Sequence, residues 1–171
     1  MIDPSSLILV TAIKTNALFG LSQIEPREAE CLAHNIHYEA MGASISGKIA
    51  VGAATITRTK MDGFPTNVCG VVAQKIKNVC QFEWRCKKKK LKLNLKSSPQ
   101  WAINDYKLST EIAVGLLAGF LEDNTDGATF FVNPQKYRPI WAKKMTKTLA
   151  IDGHVFYKQP MRACSKCASK I

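Results

Sequence analysis

No apolar run in this chain approaches the ~18 residues that a membrane-spanning helix requires, so no such helix is expected. Glycine is sparse, at ten residues with no triplet period, which excludes a collagen-like chain. No internal repeat is visible. Six cysteines are too few to build a disulfide-framed mini-protein from 171 residues. Acidic residues are also short: 13 Asp and Glu stand against 24 Lys and Arg, for a net charge of +11. No nucleic-acid-binding motif is present, and no aromatic interrupts the most basic stretch, so nucleic acid is not the expected partner.

What remains is an ordinary globular composition, 46 % apolar and 22 % charged, in a chain long enough to bury a core. The charge is uneven. Residues 85–96 hold seven bases and no acid, which leaves only +4 for the rest of the chain. This basic run, from Lys87 to Lys96, reads as a solvated hairpin face or as a patch for anionic wall polymer or a membrane surface. Asp3 stands where a signal peptide carries positive charge, and Lys14 and Asn16 break the apolar stretch. The expectation is therefore synthesis in a (host) cytoplasm without a signal peptide, with residues 1–24 forming a docking helix or extension.

Two cysteine pairs have suggestive spacing, Cys80 with Cys86 and Cys164 with Cys167. They leave three possibilities open: four thiolates on a structural zinc, a Cys80–Cys86 disulfide under oxidising conditions, or free thiols. His34 and His37 share a helical face, but no third ligand converges on them in sequence, so no metal or cofactor is expected.

Periodicity predicts a helix-rich α+β fold. A first helix opens at Glu25-Pro26, with Pro in the first turn, and closes near Gly42. Ser46 caps a second, buried helix through Ile56. Thr66 caps a third through about Ile76. Residues 80–84 read as a loop or short strand, and 90–96 alternate as an exposed strand. A long helix runs from Asn104 or Asp105 to Leu121. Residues 128–132 and 154–158 read as strands, and Pro139 opens a short helix reaching Thr148. Asp152-Gly153 is a tight turn, and 159–171 a basic tail.

Glu39 is the most informative residue. It sits at the C-terminal end of the first helix, where the dipole repels negative charge. Its neighbours Ile36, Tyr38, Ala40 and Met41 are mostly apolar, and desolvation raises a carboxyl pKa. A carboxyl that stays protonated near neutrality is what a general acid needs to protonate a leaving oxygen.

Ordered motifs surround it. His37-Tyr38-Glu39-Ala40 ends the first helix, and Gly47-x-x-Ala50-Val51-x-Ala53 follows. Then come Phe64-Pro65-x-x-Val68-Cys69-Gly70-Val71-Val72 and Cys80-Gln81-Phe82-Glu83-Trp84-Arg85-Cys86. Gly127-Ala128-Thr129-x-Phe131, Pro139-x-Trp141-Ala142 and Ile151-x-Gly153-His154-Val155-Phe156-Tyr157 complete the series. In order and content the set resembles SleB-type cell-wall hydrolases across roughly residues 28–158. The resemblance implies a lysozyme-like domain over 25–158 that cleaves peptidoglycan between N-acetylmuramic acid and N-acetylglucosamine. It implies lytic transglycosylase chemistry with Glu39 as the catalytic glutamate, and size and basicity suit a phage endolysin acting as a monomer.

Gln81, Phe82, Trp84, Thr129 and Phe131 are the candidate substrate-binding residues, the aromatics as sugar-stacking surfaces. The family's second acid shortly after the catalytic glutamate is missing here. Glu83 is the best replacement, ahead of Asp62 and Asp126. With a second carboxyl in place, muramidase-type hydrolysis becomes the alternative. A basic cell-wall-binding module without catalysis is the rival of a different kind.

Overall fold

In the computed structural model, residues 23–87 and 97–159 are described. The expected N-terminal extension, most of the 87–96 basic run with its alternating strand, and nearly all of the C-terminal tail with Cys164 and Cys167 lie outside them. The fold is α+β, as the sequence predicts.

Helix α1 (Pro26–Glu39) starts with Pro at its first position. It is the spine of the domain. Leu32, Ala33 and Ile36 are fully buried on one side of it. Against it lie α2 (Ile45–Arg58), α3 (Val68–Ala73) and α4 (Gln100–Leu117). Small residues on α2 (Ala50, Val51, Ala54) let the helices approach closely, and Val71, Val72, Ile112 and Ala113 fill the remaining space. Among the described residues no helix is long and apolar enough to cross a membrane.

The caps differ from those expected. Ser44, not Ser46, caps α2, its Oγ accepting from Gly47 N. Asn67, not Thr66, caps α3, with Oδ1 2.7 Å from Gly70 N. Helix α3 stops at Ala73 rather than Ile76, because β1 (Lys75–Ile76) turns back to pair with β2 (Val79–Cys80). The two linking residues, Lys77 and Asn78, both have positive φ, as a two-residue hairpin of matching twist requires. Helix α4 starts at Gln100, after Pro99, a full turn before Asn104. Trp101, in its first turn, is largely exposed.

A three-stranded antiparallel sheet, order β3-β5-β4, closes the other side. It comprises β3 (Phe130–Val132), β4 (Thr146–Ile151) and β5 (His154–Lys158). Phe156 of β5 is fully buried in the helical core. The helix expected from Pro139 to Thr148 is a 3-10 segment over Ile140–Lys144, after which the chain extends into β4.

Among the described residues, two disulfides tie this frame. Cys31–Cys69 joins α1 to α3, and Glu28 on α1 accepts from Val68 N and Cys69 N at the start of α3. Cys80–Cys86 closes the segment between β2 and the 3-10 turn Glu83–Arg85. The pairing removes the four-thiolate zinc reading, since Cys80 and Cys86 have no thiolate left to offer.

Candidate active site

Glu39 is the last residue of α1. The chain leaves the helix there, and its exit is held by a buried cation. Lys48 of α2 is almost wholly enclosed, and its Nζ donates to the carbonyl of Ala40 at 2.9 Å. The same ammonium pairs with Asp105 Oδ1 at 2.8 Å. Asp105 in turn accepts from Gly42 N at 3.2 Å and lies 2.7 Å from His37 Nδ1. Burial pushes the Asp105 carboxyl up, but the bonds from Lys48, Gly42 and His37 outweigh it and hold the carboxyl below its usual range. Burial lowers the His37 pKa, and facing a carboxylate, which can only accept, its Nδ1–H donates. Both histidine rings pack against Tyr106, but His37 also meets the Asp105 carboxylate.

Glu39 is partly buried, and burial is the main cause that raises its pKa to about 7. The Arg58 cation acts against that rise, Glu83 adds to it, and Lys87 and Lys136 oppose it. The carboxyl stands between two adjoining hollows. One, of about 370 Å³, is lined by Gln81, Glu83, Trp84 and Phe131. The other, of about 480 Å³, is lined by Met41, Gly42, Ala43 and Asp152. Tyr38, Glu39, Asn133, Lys136 and His154 border both. A chain-like substrate could therefore lie across Glu39 with residues on either side of it.

The first hollow has a rigid wall. Trp84 Nε1 donates to Asn35 Oδ1 at 3.0 Å, and Asn35 Nδ2 donates to Thr55 Oγ1 at 3.0 Å. The Trp84 ring packs on Tyr38, with centroids 4.7 Å apart. Gln81 N donates to Gln74 O, and the Cys80–Cys86 bridge clamps the segment at both ends. In the second hollow Asp152 is committed: its Oδ2 accepts from Ser44 N at 3.0 Å and from Ser44 Oγ at 2.7 Å.

Of the candidate residues, Glu39, Gln81, Glu83, Trp84 and Phe131 meet in one cleft. Two do not reach it. Phe82 is 2 % exposed, its ring turned inward against Phe131 and the Arg58 guanidinium, so it offers no stacking face. Thr129 is 1 % exposed and presents its carbonyl to Arg58 Nε at 2.6 Å, so it is a core residue and not a sugar contact. Asp62 and Asp126 line neither hollow, and Asp126 pairs with Lys158 at 2.5 Å. Sequence reasoning missed Asn133, Lys136 and Arg58. The sequence reading ends a strand at residue 132, and nothing local says that the residues just beyond it border Glu39.

A sequence profile described as cell wall hydrolase matches residues 42–157, about two thirds of the chain. The chain belongs to the cell wall hydrolase family. It is thus an enzyme acting on peptidoglycan. The match begins just beyond Glu39, so it covers the cleft walls but not the glutamate itself. Among solved structures, the fold is similar to the catalytic domain of the germination-specific lytic transglycosylase SleB from Bacillus anthracis. The TM-score is 0.59 at 21 % identity, covering 80 % of this chain and 98 % of that one. The catalytic domain of the Bacillus cereus SleB protein is similar at TM-score 0.55 and 21 % identity, covering 80 % and 94 %. At this identity the likeness establishes the fold. No curated protein matches the chain in sequence.

Proposed function

We propose that this cell wall hydrolase cuts peptidoglycan glycan strands between N-acetylmuramic acid and N-acetylglucosamine as a lytic transglycosylase, with Glu39 as its one catalytic carboxyl. The observation that carries this reading is the place of Glu39: between two adjoining hollows, with its pKa raised to about 7. A group that must give a proton and take one back within a turnover works best with a pKa near the working pH. Glu39 in its acid form protonates the glycosidic oxygen as the C1–O bond breaks. The resulting carboxylate removes the proton from the muramic C6 hydroxyl, whose oxygen bonds to C1 and closes a 1,6-anhydro ring. No water is consumed.

A second reading has its own observation. Glu83 lines the same hollow and contributes to the raised pKa of Glu39. If it activates water, the product is a reducing muramic end. Mass spectrometry of fragments released from purified sacculi separates the two. Anhydro-muramic ends that disappear in Glu39→Gln support the transglycosylase. Reducing ends that disappear in Glu83→Gln as well support hydrolysis, and glycan cleavage by Glu39→Gln at the wild-type rate refutes both.

The biological setting we propose is bacterial lysis by a phage enzyme released to the wall. The high net charge supports attraction to anionic envelope polymers. Constitutive export of the native protein from uninfected bacteria would overturn it.

A further inference from the structure

Arg58, on the last turn of α2, is a cation enclosed where a neutral residue would be cheaper. It is 5 % exposed. Its guanidinium carbon lies 5.0 Å from the centroid of Phe82, 5.5 Å from Phe130 and 5.6 Å from Phe64. Its Nε donates to the Thr129 carbonyl at 2.6 Å. Its Nη1 is buried and has no hydrogen-bond partner. Among the described residues no carboxylate forms an ion pair with it. Burying an unpaired cation this way is costly unless a charge nearby compensates for it.

The place of the guanidinium says where that charge is. Phe82 and Phe130 each neighbour cleft residues in sequence, and Phe82 packs on Phe131, which lines the hollow beside Glu39. The cation therefore lies directly behind the cleft wall. Of the charges acting on Glu39, that of Arg58 is the largest, and Glu39 is the one charge that raises the pKa of Arg58.

We infer that Arg58 is a positioning residue acting through Glu39: a fixed buried positive charge that compensates the carboxylate left when Glu39 gives up its proton. The inference rests on the reading of Glu39 as acid and then base. In the first half-reaction the proton goes to the leaving oxygen, and Glu39 becomes an anion in a partly desolvated site. In the second it recovers a proton from the muramic hydroxyl. A cation held by three rings and one carbonyl needs no rearrangement to stabilise that anion. The other charged or titratable groups near Glu39 are Tyr38 beside it on α1, Glu83 and Lys87 beside Trp84, Lys136 and Tyr137 after β3, and Asp152 and His154 at the β4–β5 turn. All of them sit at the cleft surface, where solvent screens them more strongly.

The test is the titration of Glu39, read by carbon NMR of its labelled carboxyl, in wild type, Arg58→Gln and Arg58→Lys. Gln keeps a donor for Thr129 but loses the charge. The Glu39 midpoint should rise by about 1 pH unit in Arg58→Gln and return towards wild type in Arg58→Lys. The alkaline limb of kcat/KM on sacculi should move with it. A folded Arg58→Gln with the wild-type midpoint overturns the inference. If Arg58→Gln does not fold, the guanidinium nitrogen resonances of wild type decide. A midpoint near that of Glu39, absent in Glu39→Gln, supports the coupling, and no difference between wild type and Glu39→Gln overturns it. Full activity of Glu39→Gln would instead refute the catalytic role of Glu39, which neither titration depends on.

Discussion

The Lys48 ammonium lies 2.9 Å from the carbonyl oxygen of Ala40, the residue immediately after Glu39. A helix C-terminus presents unpaired carbonyls and partial negative charge, and a cation there satisfies both. The same ammonium neutralises Asp105, which also holds Gly42 N and His37. One buried pair thus fixes the last turn of α1 and the direction in which Glu39 leaves it.

Removing one partner strands the other. Lys48→Met leaves the Asp105 carboxylate poorly solvated and should cost about 3–5 kcal/mol of stability. Removing both charges in Lys48→Met/Asp105→Asn should recover a large part of that loss. Urea unfolding of the two single variants and the double variant measures the coupling directly. Additive losses would mean that the pair is not the anchor.

Glu39 carries a pH signature separate from activity. Its folded-state pKa of about 7 lies above the ordinary 4.5, so folding favours the protonated form. The stabilising effect is fully present below pH 4.5 and is lost as pH rises through 7. Glu39→Gln does not titrate. Wild type should therefore lose stability relative to Glu39→Gln between those pH values, by up to about 3 kcal/mol. Above pH 8 the difference should be flat. Paired denaturation curves at several pH values check the sign, and a difference that stays constant from pH 4 to 8 would contradict the raised pKa. The same titration should make wild-type kcat/KM fall above neutrality, as the acid form is lost.

Phe82 and Trp84, two residues apart, should separate stability from binding. Phe82→Ala empties a fully buried site and should cost roughly 3–5 kcal/mol. Trp84→Ala removes a cleft wall and should chiefly raise KM, with a smaller loss of stability. Thermal unfolding beside sacculus kinetics distinguishes the two, and equal stability losses would refute the contrast.

That contrast also marks what was legible in the sequence. The helix-end position and raised pKa of Glu39 were legible because their evidence is local, a helix end with mostly apolar neighbours, whereas its catalytic role comes from the resemblance of the ordered motifs around it. The cleft segment 81–84 was legible as a unit, but not which side chains face inward. A strand end followed by a 3-10 turn places Gln81, Glu83 and Trp84 outward and Phe82 inward, and no simple period describes that. Nothing in the sequence singles out Arg58, because the rings that enclose it come from three separate segments. Strand β4 was missed although its turn, Asp152-Gly153, was recognised. Its exposure pattern does not alternate cleanly, and the ladder with β5 shifts between Lys147 and Leu149. The cysteine pairing Cys31–Cys69 spans 38 residues and has no spacing signature.

The two disulfides should differ in what they protect. Cys31–Cys69 closes a long loop and joins two core helices, so its loss should cost roughly 2–4 kcal/mol of stability. Cys80–Cys86 closes a short loop that carries Gln81, Glu83 and Trp84, so its loss should act on the cleft. Trp84 keeps its bond to Asn35 and Gln81 its bond to Gln74, so the segment should stay attached but sample more conformations. Cys80→Ser/Cys86→Ser should therefore unfold at nearly the wild-type temperature yet turn over sacculi several-fold more slowly. Cys31→Ser/Cys69→Ser should melt much earlier and keep its turnover at low temperature. A variant lacking Cys80 and Cys86 with full turnover would show that the hydrogen bonds alone hold the wall of the cleft.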